Sequence, residues 1–87
     1  MQQIEQEIRQ FVVNTLFLGV NEGQFSNQDS FIEKGLVDSM GILHLITFVQ
    51  EKYAVPVLDE EIITDNWDSV HRIANFVERK KLQNSQQ

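Results

Sequence analysis

Ser39 is the residue on which chemistry could turn. It follows Asp38 directly and opens the apolar run Met40-Gly41-Ile42-Leu43-His44-Leu45-Ile46. Asp or Ser before such a run is an ordinary helix cap. A serine at a helix start is also exposed and reachable, and the helix N-terminus favours an anion attached to it. Hydrolysis by the chain itself fits poorly. No Gly-x-Ser-x-Gly elbow is present, and neither His44 nor His71 has an evident route to Ser39 with an orienting acid behind it. Neither histidine is followed at i+3 or i+4 by a second metal ligand, so both read as surface or boundary residues and no metal site is expected. Asp59, Glu60, Glu61, Asp65 and Asp68 lack the alternating ligands and central glycine of a calcium loop and read as a solvated acidic face. Repulsion among them would make that segment the most mobile part of the chain, with cations stabilising it. Trp67 reads as a core or boundary anchor.

Helical elements must position Ser39. Ile4, Ile8, Phe11, Val12 and Leu16 recur at helical spacing, and Gly19 is placed to end that first helix. Gly19 to Asp38 is rich in Asn, Gln, Gly, Ser and Asp, too long a stretch for a structureless loop in a small domain. Within it Ser30-Phe31-Ile32-Glu33 matches a capping box and predicts a short helical turn ending near Gly35. Phe25, Phe31 and Ile32 would pin that loop to the core. The next helix should run from Asp38 or Ser39 to about Tyr53, where Val55-Pro56 stops it. Asp59 to Ile63 reads as one acidic helical turn. The last helix is expected to be capped by Asp65 or Asp68, to bury Val70, Ile73, Ala74, Phe76 and Val77, and to set Arg79, Lys80 and Lys81 in its final turn. The sum is an all-α fold, a small four-helix bundle of three main helices and one short helix, with a long first loop.

The bulk numbers agree with one small domain. The chain has 87 residues, 41% of them apolar, no cysteine and a net charge of −6. This excludes a multi-domain enzyme, a disulfide-stapled fold and a Cys-based zinc site. The acidic balance argues against binding nucleic acid. The start lacks the features of a secretory signal, and the run from Met40 to Val49 is too short to span a bilayer. The expectation is a single domain over 1–87 with its core at about 4–82 and a frayed tail at 83–87, monomeric and cytoplasmic.

The helix beginning at Ser39 holds more apolar residues than one core face accepts. Met40, Ile42, Leu43, Leu45, Ile46, Phe48 and Val49 cover most of its circumference, and a bundle this small cannot bury a helix on every side. Met40, Leu43 and Thr47 share one face that starts beside Ser39. A reachable serine bordered by an apolar strip has the form of a docking site.

The string DSFIEKGLVDSM (Asp29 to Met40), the apolar helix after it, Tyr53, Val55, Ile62, Trp67-Asp68-Ser69 and the final stripe Ile73, Phe76 and Val77 together resemble the acyl carrier protein family over roughly residues 4 to 82. The resemblance implies that Ser39 is the attachment point of 4′-phosphopantetheine, joined by a phosphopantetheinyl transferase from coenzyme A. Acyl or aminoacyl groups would ride on the thiol of that arm as thioesters. Ser39 would then be an acceptor, and the chain itself not an enzyme. The absence of cysteine is consistent with a thiol supplied by the cofactor. Asp38 would sit beside the phosphate and help engage the transferase. Leu36, Met40, Leu43, His44, Thr47 and Ile63 match positions that face partner enzymes, while Leu45, Ile46 and Val49 match core positions. Gly41 to Gln50 contains no acid, unlike the corresponding helix of bacterial fatty-acid carriers, which favours partners recognised by apolar contact. Gly41 would allow such a partner to approach closely. Met40-Gly41 and Trp67-Asp68 are similar to the D-alanyl carriers of teichoic acid modification, and the loop motif to freestanding carriers beside adenylating ligases. The expected partners are an adenylating ligase or acyltransferase and downstream condensing or transferring enzymes, in secondary metabolism or non-ribosomal-peptide-type biosynthesis. A carrier of primary fatty-acid synthesis is the alternative within the class. A non-carrier helical interaction module, indifferent to Ser39, is the alternative outside it.

Overall fold

The first helix, α1 (Gln2–Phe11), forms where the apolar spacing predicts it and buries Ile4 and Ile8. The computed structural model describes residues 2–16, 26–35 and 37–85. The backbone after α1 widens into a π-helical turn over Val12–Leu16, with Val12 still in the core. Gly19, Phe25 and Leu36 lie outside the described residues.

A short helix, α2 (Phe31–Lys34), stands where the capping signal placed it. The Ser30 side chain accepts from the Glu33 N–H, and Gly35 ends the turn in the left-handed region at φ 63°, where glycine bears no Cβ penalty. Phe31 is fully buried. Ile32 is 63% exposed, which corrects its assignment as a second pin. Adjacent residues on a four-residue helix point about 100° apart, so one of the two must face outward.

Helix α3 (Ser39–Tyr53) is capped by Asp38, whose Oδ1 accepts from the Gly41 N–H at 2.9 Å. Its C-cap is Ala54, at φ 54°. Leu45, Ile46 and Val49 are buried, as the family resemblance implied.

The acidic turn proves shorter than predicted. A 3₁₀ turn covers Asp59–Glu61 only, and Ile62 and Ile63 leave it in non-helical conformation. A second short helix, α4 (Thr64–Trp67), then follows, one that residue spacing did not predict. Trp67 is buried, and its Nε1 donates to the Glu61 carbonyl at 3.0 Å.

The final helix, α5 (Val70–Ser85), is capped by neither Asp65 nor Asp68. The Ser69 Oγ accepts from the Arg72 N–H at 3.0 Å instead. Asp65 sits inside α4, and Asp68 turns its carboxylate across to α2. The helix continues to Ser85, so Gln83 to Ser85 are helical and Arg79, Lys80 and Lys81 do not fall in the last turn. Val70, Ile73, Ala74, Phe76 and Val77 are all buried. They form one core with Ile4, Ile8 and Val12 of the first segment and with Leu45 and Val49 of α3, and α5 packs against α1, α3 and α4. The described residues contain no strand, and none of their helices is long and apolar enough to cross a membrane.

Candidate functional site

Ser39 occupies the first position of α3 and is exposed, as are Asp38 before it and Met40 after it. The Asp38 carboxylate fixes this start by accepting from Gly41, and the Asp38 carbonyl accepts from the Ile42 N–H at 3.0 Å. The serine is thereby held at the positive end of a fifteen-residue helix, where a covalently attached phosphate is electrostatically favoured.

Gly41 is not open to a partner. It is buried, and a Cβ built on it would lie 2.5 Å from Val37 Cγ1. Val37 therefore folds over the first turn of α3, and the glycine is what lets it sit there. This corrects the reading of Gly41 as a point of close partner approach.

The predicted contact residues divide between two surfaces. Met40 and His44 line a shallow recess with Asp38, Gly41, Val37 and Gly35. Met40 is 60% exposed and Leu43 54%, and Thr47 and His44 are exposed too, so this face of α3 is uncovered. Ile63 lies elsewhere, on an apolar groove of about 170 Å³ bordered by Ile32, Ile42, Ile62 and Trp67. Ile42 stands one turn after Ser39 on the same helix, which sets this groove next to the serine. Ile32, Ile42 and Ile62 were not singled out as contact residues. Ile32 read as a pin to the core, Ile42 as one of many apolar residues around its helix, and Ile62 as part of the acidic turn, and nothing in their spacing joins the three.

The acidic cluster is dispersed. The Glu61 carboxylate accepts from Lys80 Nζ at 3.0 and 3.1 Å and from the Leu58 N–H at 2.9 Å. Burial pushes its pKa up, but the Leu58 and Lys80 hydrogen bonds outweigh this and the net direction is down. Asp68 accepts from Ser30 and from the Ile32 N–H. Asp65 lies 3.9 Å from Arg72 at the surface. Asp59 and Glu60 are left as exposed acids. Among the described residues no group of three or more His, Asp or Glu gathers into a metal site. His71 pairs with Glu5 at 3.2 Å, at the boundary between α5 and α1.

No family model matches the chain. It is 29% identical over 79 residues to the acyl carrier protein of Buchnera aphidicola subsp. Baizongia pistaciae (strain Bp). That similarity covers 91% of this chain and 96% of the relative.

Proposed function

The chain resembles the acyl carrier protein family along nearly its whole length, and on that premise we propose that it is a freestanding carrier loaded at Ser39 with 4′-phosphopantetheine. The observation that carries this reading is the exposed Ser39 at the start of α3, held by the Asp38 cap and bordered by apolar surface on both sides. The residues present fit the group: the hydroxyl is reachable, the helix end favours the phosphate, and the recess along Asp38, Met40 and His44 gives the arm a place to lie. The cofactor would supply the thiol that binds cargo as a thioester, since the chain has no cysteine of its own. In loading, the Ser39 oxygen takes the pantetheine phosphate, the nucleotide portion of coenzyme A leaves, and the hydroxyl proton is lost. Ser39 is thus an acceptor, and the chain turns nothing over.

The cargo in this reading is an amino acid or a short or modified acyl group, activated by a separate adenylating enzyme and used in secondary metabolism or non-ribosomal-peptide-type biosynthesis. The support is the uncovered face of Met40, Leu43, His44 and Thr47, which bears no carboxylate. Partners that meet it are expected to do so by apolar contact, with Asp38 at its start. The test is charging of the loaded protein by a panel of acyl-AMP-forming enzymes beside a fatty-acid malonyl transferase. Thioester formation with an adenylating enzyme supports the cargo assignment. Efficient charging by the malonyl transferase alone overturns it in favour of fatty-acid synthesis.

A further inference from the structure

We propose that Lys80 is a positioning residue, a latch on α5 that fixes the segment from Leu58 to Trp67 and so sets Ile62 and Ile63 along the groove beside Ser39. Its bearing on partner recognition rests on the carrier reading above; the latch itself does not.

Lys80 is only 7% exposed, in a position where a lysine is rarely found unless paired. Its ammonium lies 5.9 Å from the Phe76 ring centroid and reaches both Glu61 carboxylate oxygens. Glu61 gathers the rest of the segment. Its Oε1 also accepts from the Leu58 N–H, closing the 3₁₀ turn from its start. Its carbonyl accepts from Asn66 Nδ2 at 2.9 Å and from Trp67 Nε1 at 3.0 Å, closing it from its end. The two isoleucines stand between these ties, immediately after Glu61, and both are more than 40% exposed. Little burial of their own holds them. Besides the Glu61 hub, Arg79 donates to Asn66 Oδ1 at 2.8 Å, Arg72 donates to the Asp65 carbonyl at 3.3 Å, and Trp67 packs on Phe76 at 5.3 Å between centroids. All three contacts act on the α4 end of the segment, beyond the isoleucines. Lys80 hydrogen-bonds the Asp59–Glu61 end from α5, and the position of Ile62 and Ile63 follows from its grip.

The experiment compares the full chain with Lys80→Met and Glu61→Gln. Lys80→Met keeps the buried stem and removes the charge, leaving a Glu61 carboxylate that water reaches. Glu61→Gln keeps an acceptor for Leu58. Amide exchange is read by segment. The latch predicts at least about tenfold faster exchange in 58–67, with α1 and α3 protected as in the wild type. In transfer from coenzyme A by a broad-specificity phosphopantetheinyl transferase, it predicts a several-fold higher KM for the variant carrier and little change in kcat. Ile63→Ala should raise KM in the wild type and add little in Lys80→Met. Unchanged exchange in 58–67 overturns the latch. So does acceleration spread evenly over all helices in both variants, which would make the pair a general stabilising contact. Selective loosening with no change in KM overturns the positioning role. If the wild type accepts no phosphopantetheine, the carrier reading falls, and the exchange measurement still decides the latch.

Discussion

The Ser30 hydroxyl donates to Asp68 Oδ2 at 2.5 Å across 38 residues of sequence, and the same carboxylate accepts from the Ile32 N–H at 3.0 Å. The Phe31 N–H donates to the Asp68 carbonyl at 2.7 Å. Asp68 thus satisfies the orphan donors at the start of α2, which a helix of one turn cannot satisfy internally. Replacing it by Ala should cost about 1–2 kcal/mol, since both donors regain only water. Asn, which keeps one acceptor, should cost less. Urea unfolding of the two variants measures this, and an unchanged midpoint in Asp68→Ala would remove the staple from the account.

Gly41 should resist substitution against its helix propensity. Alanine gains up to about 1 kcal/mol in a helix interior, but its Cβ meets Val37 Cγ1 at 2.5 Å. The overlap should outweigh the gain and leave Gly41→Ala about 1 kcal/mol less stable. In a Val37→Ala background the same substitution should become stabilising. Loss of stability of equal size in both backgrounds would contradict the contact.

Ala54 should welcome a glycine. It ends α3 at φ 54°, a conformation that costs a residue with a Cβ roughly 1–2 kcal/mol. Glycine loses part of that advantage through its freer unfolded chain. Ala54→Gly is expected to stabilise by about 0.5–1 kcal/mol, read as a higher urea midpoint at constant slope.

The acid limb of stability should depend on Glu7. The Tyr53 hydroxyl donates to Glu7 Oε1 at 2.7 Å, and this bond is the main reason the carboxyl is held below its ordinary value of 4.5. A carboxyl lowered on folding stabilises fully above its unfolded pKa, and that contribution disappears as pH falls through the folded value. Stability is therefore expected to fall below about pH 4.5, with Glu61 adding to the same limb. Tyr53 works in the opposite direction. Burial first, then Glu7, raises its pKa, so its share is present below the ordinary tyrosine value and lost as pH climbs past it. Melting from pH 7 to 3 should show a shallower acid decline in Glu7→Gln. Identical slopes would contradict this.

The sequence was most legible where one residue type answers one local demand. The buried stripe Val70, Ile73, Ala74 and Val77, the Asp38 cap and the left-handed Gly35 all follow from spacing within a single element. Pairings across the chain leave no such trace. Nothing near Asp68 marks it as the partner of Ser30, so it read as a cap for the next helix, a role that Ser69 takes. Gly41 read as an opening because Val37, the residue that fills it, reaches over from the preceding loop. Ile32 read as core because an apolar residue in a short polar segment has no period to say which way it points. At the site, the place of Ser39 was legible, and the groove beside it was not.

Acceptance of phosphopantetheine by Ser39 is read out by intact mass. The purified chain and Ser39→Ala are incubated with coenzyme A and a broad-specificity phosphopantetheinyl transferase. A gain of one phosphopantetheine is expected in the wild type and none in the variant. A folded wild type that gains nothing across several such transferases, or a Ser39→Ala protein that gains the same mass, would contradict it.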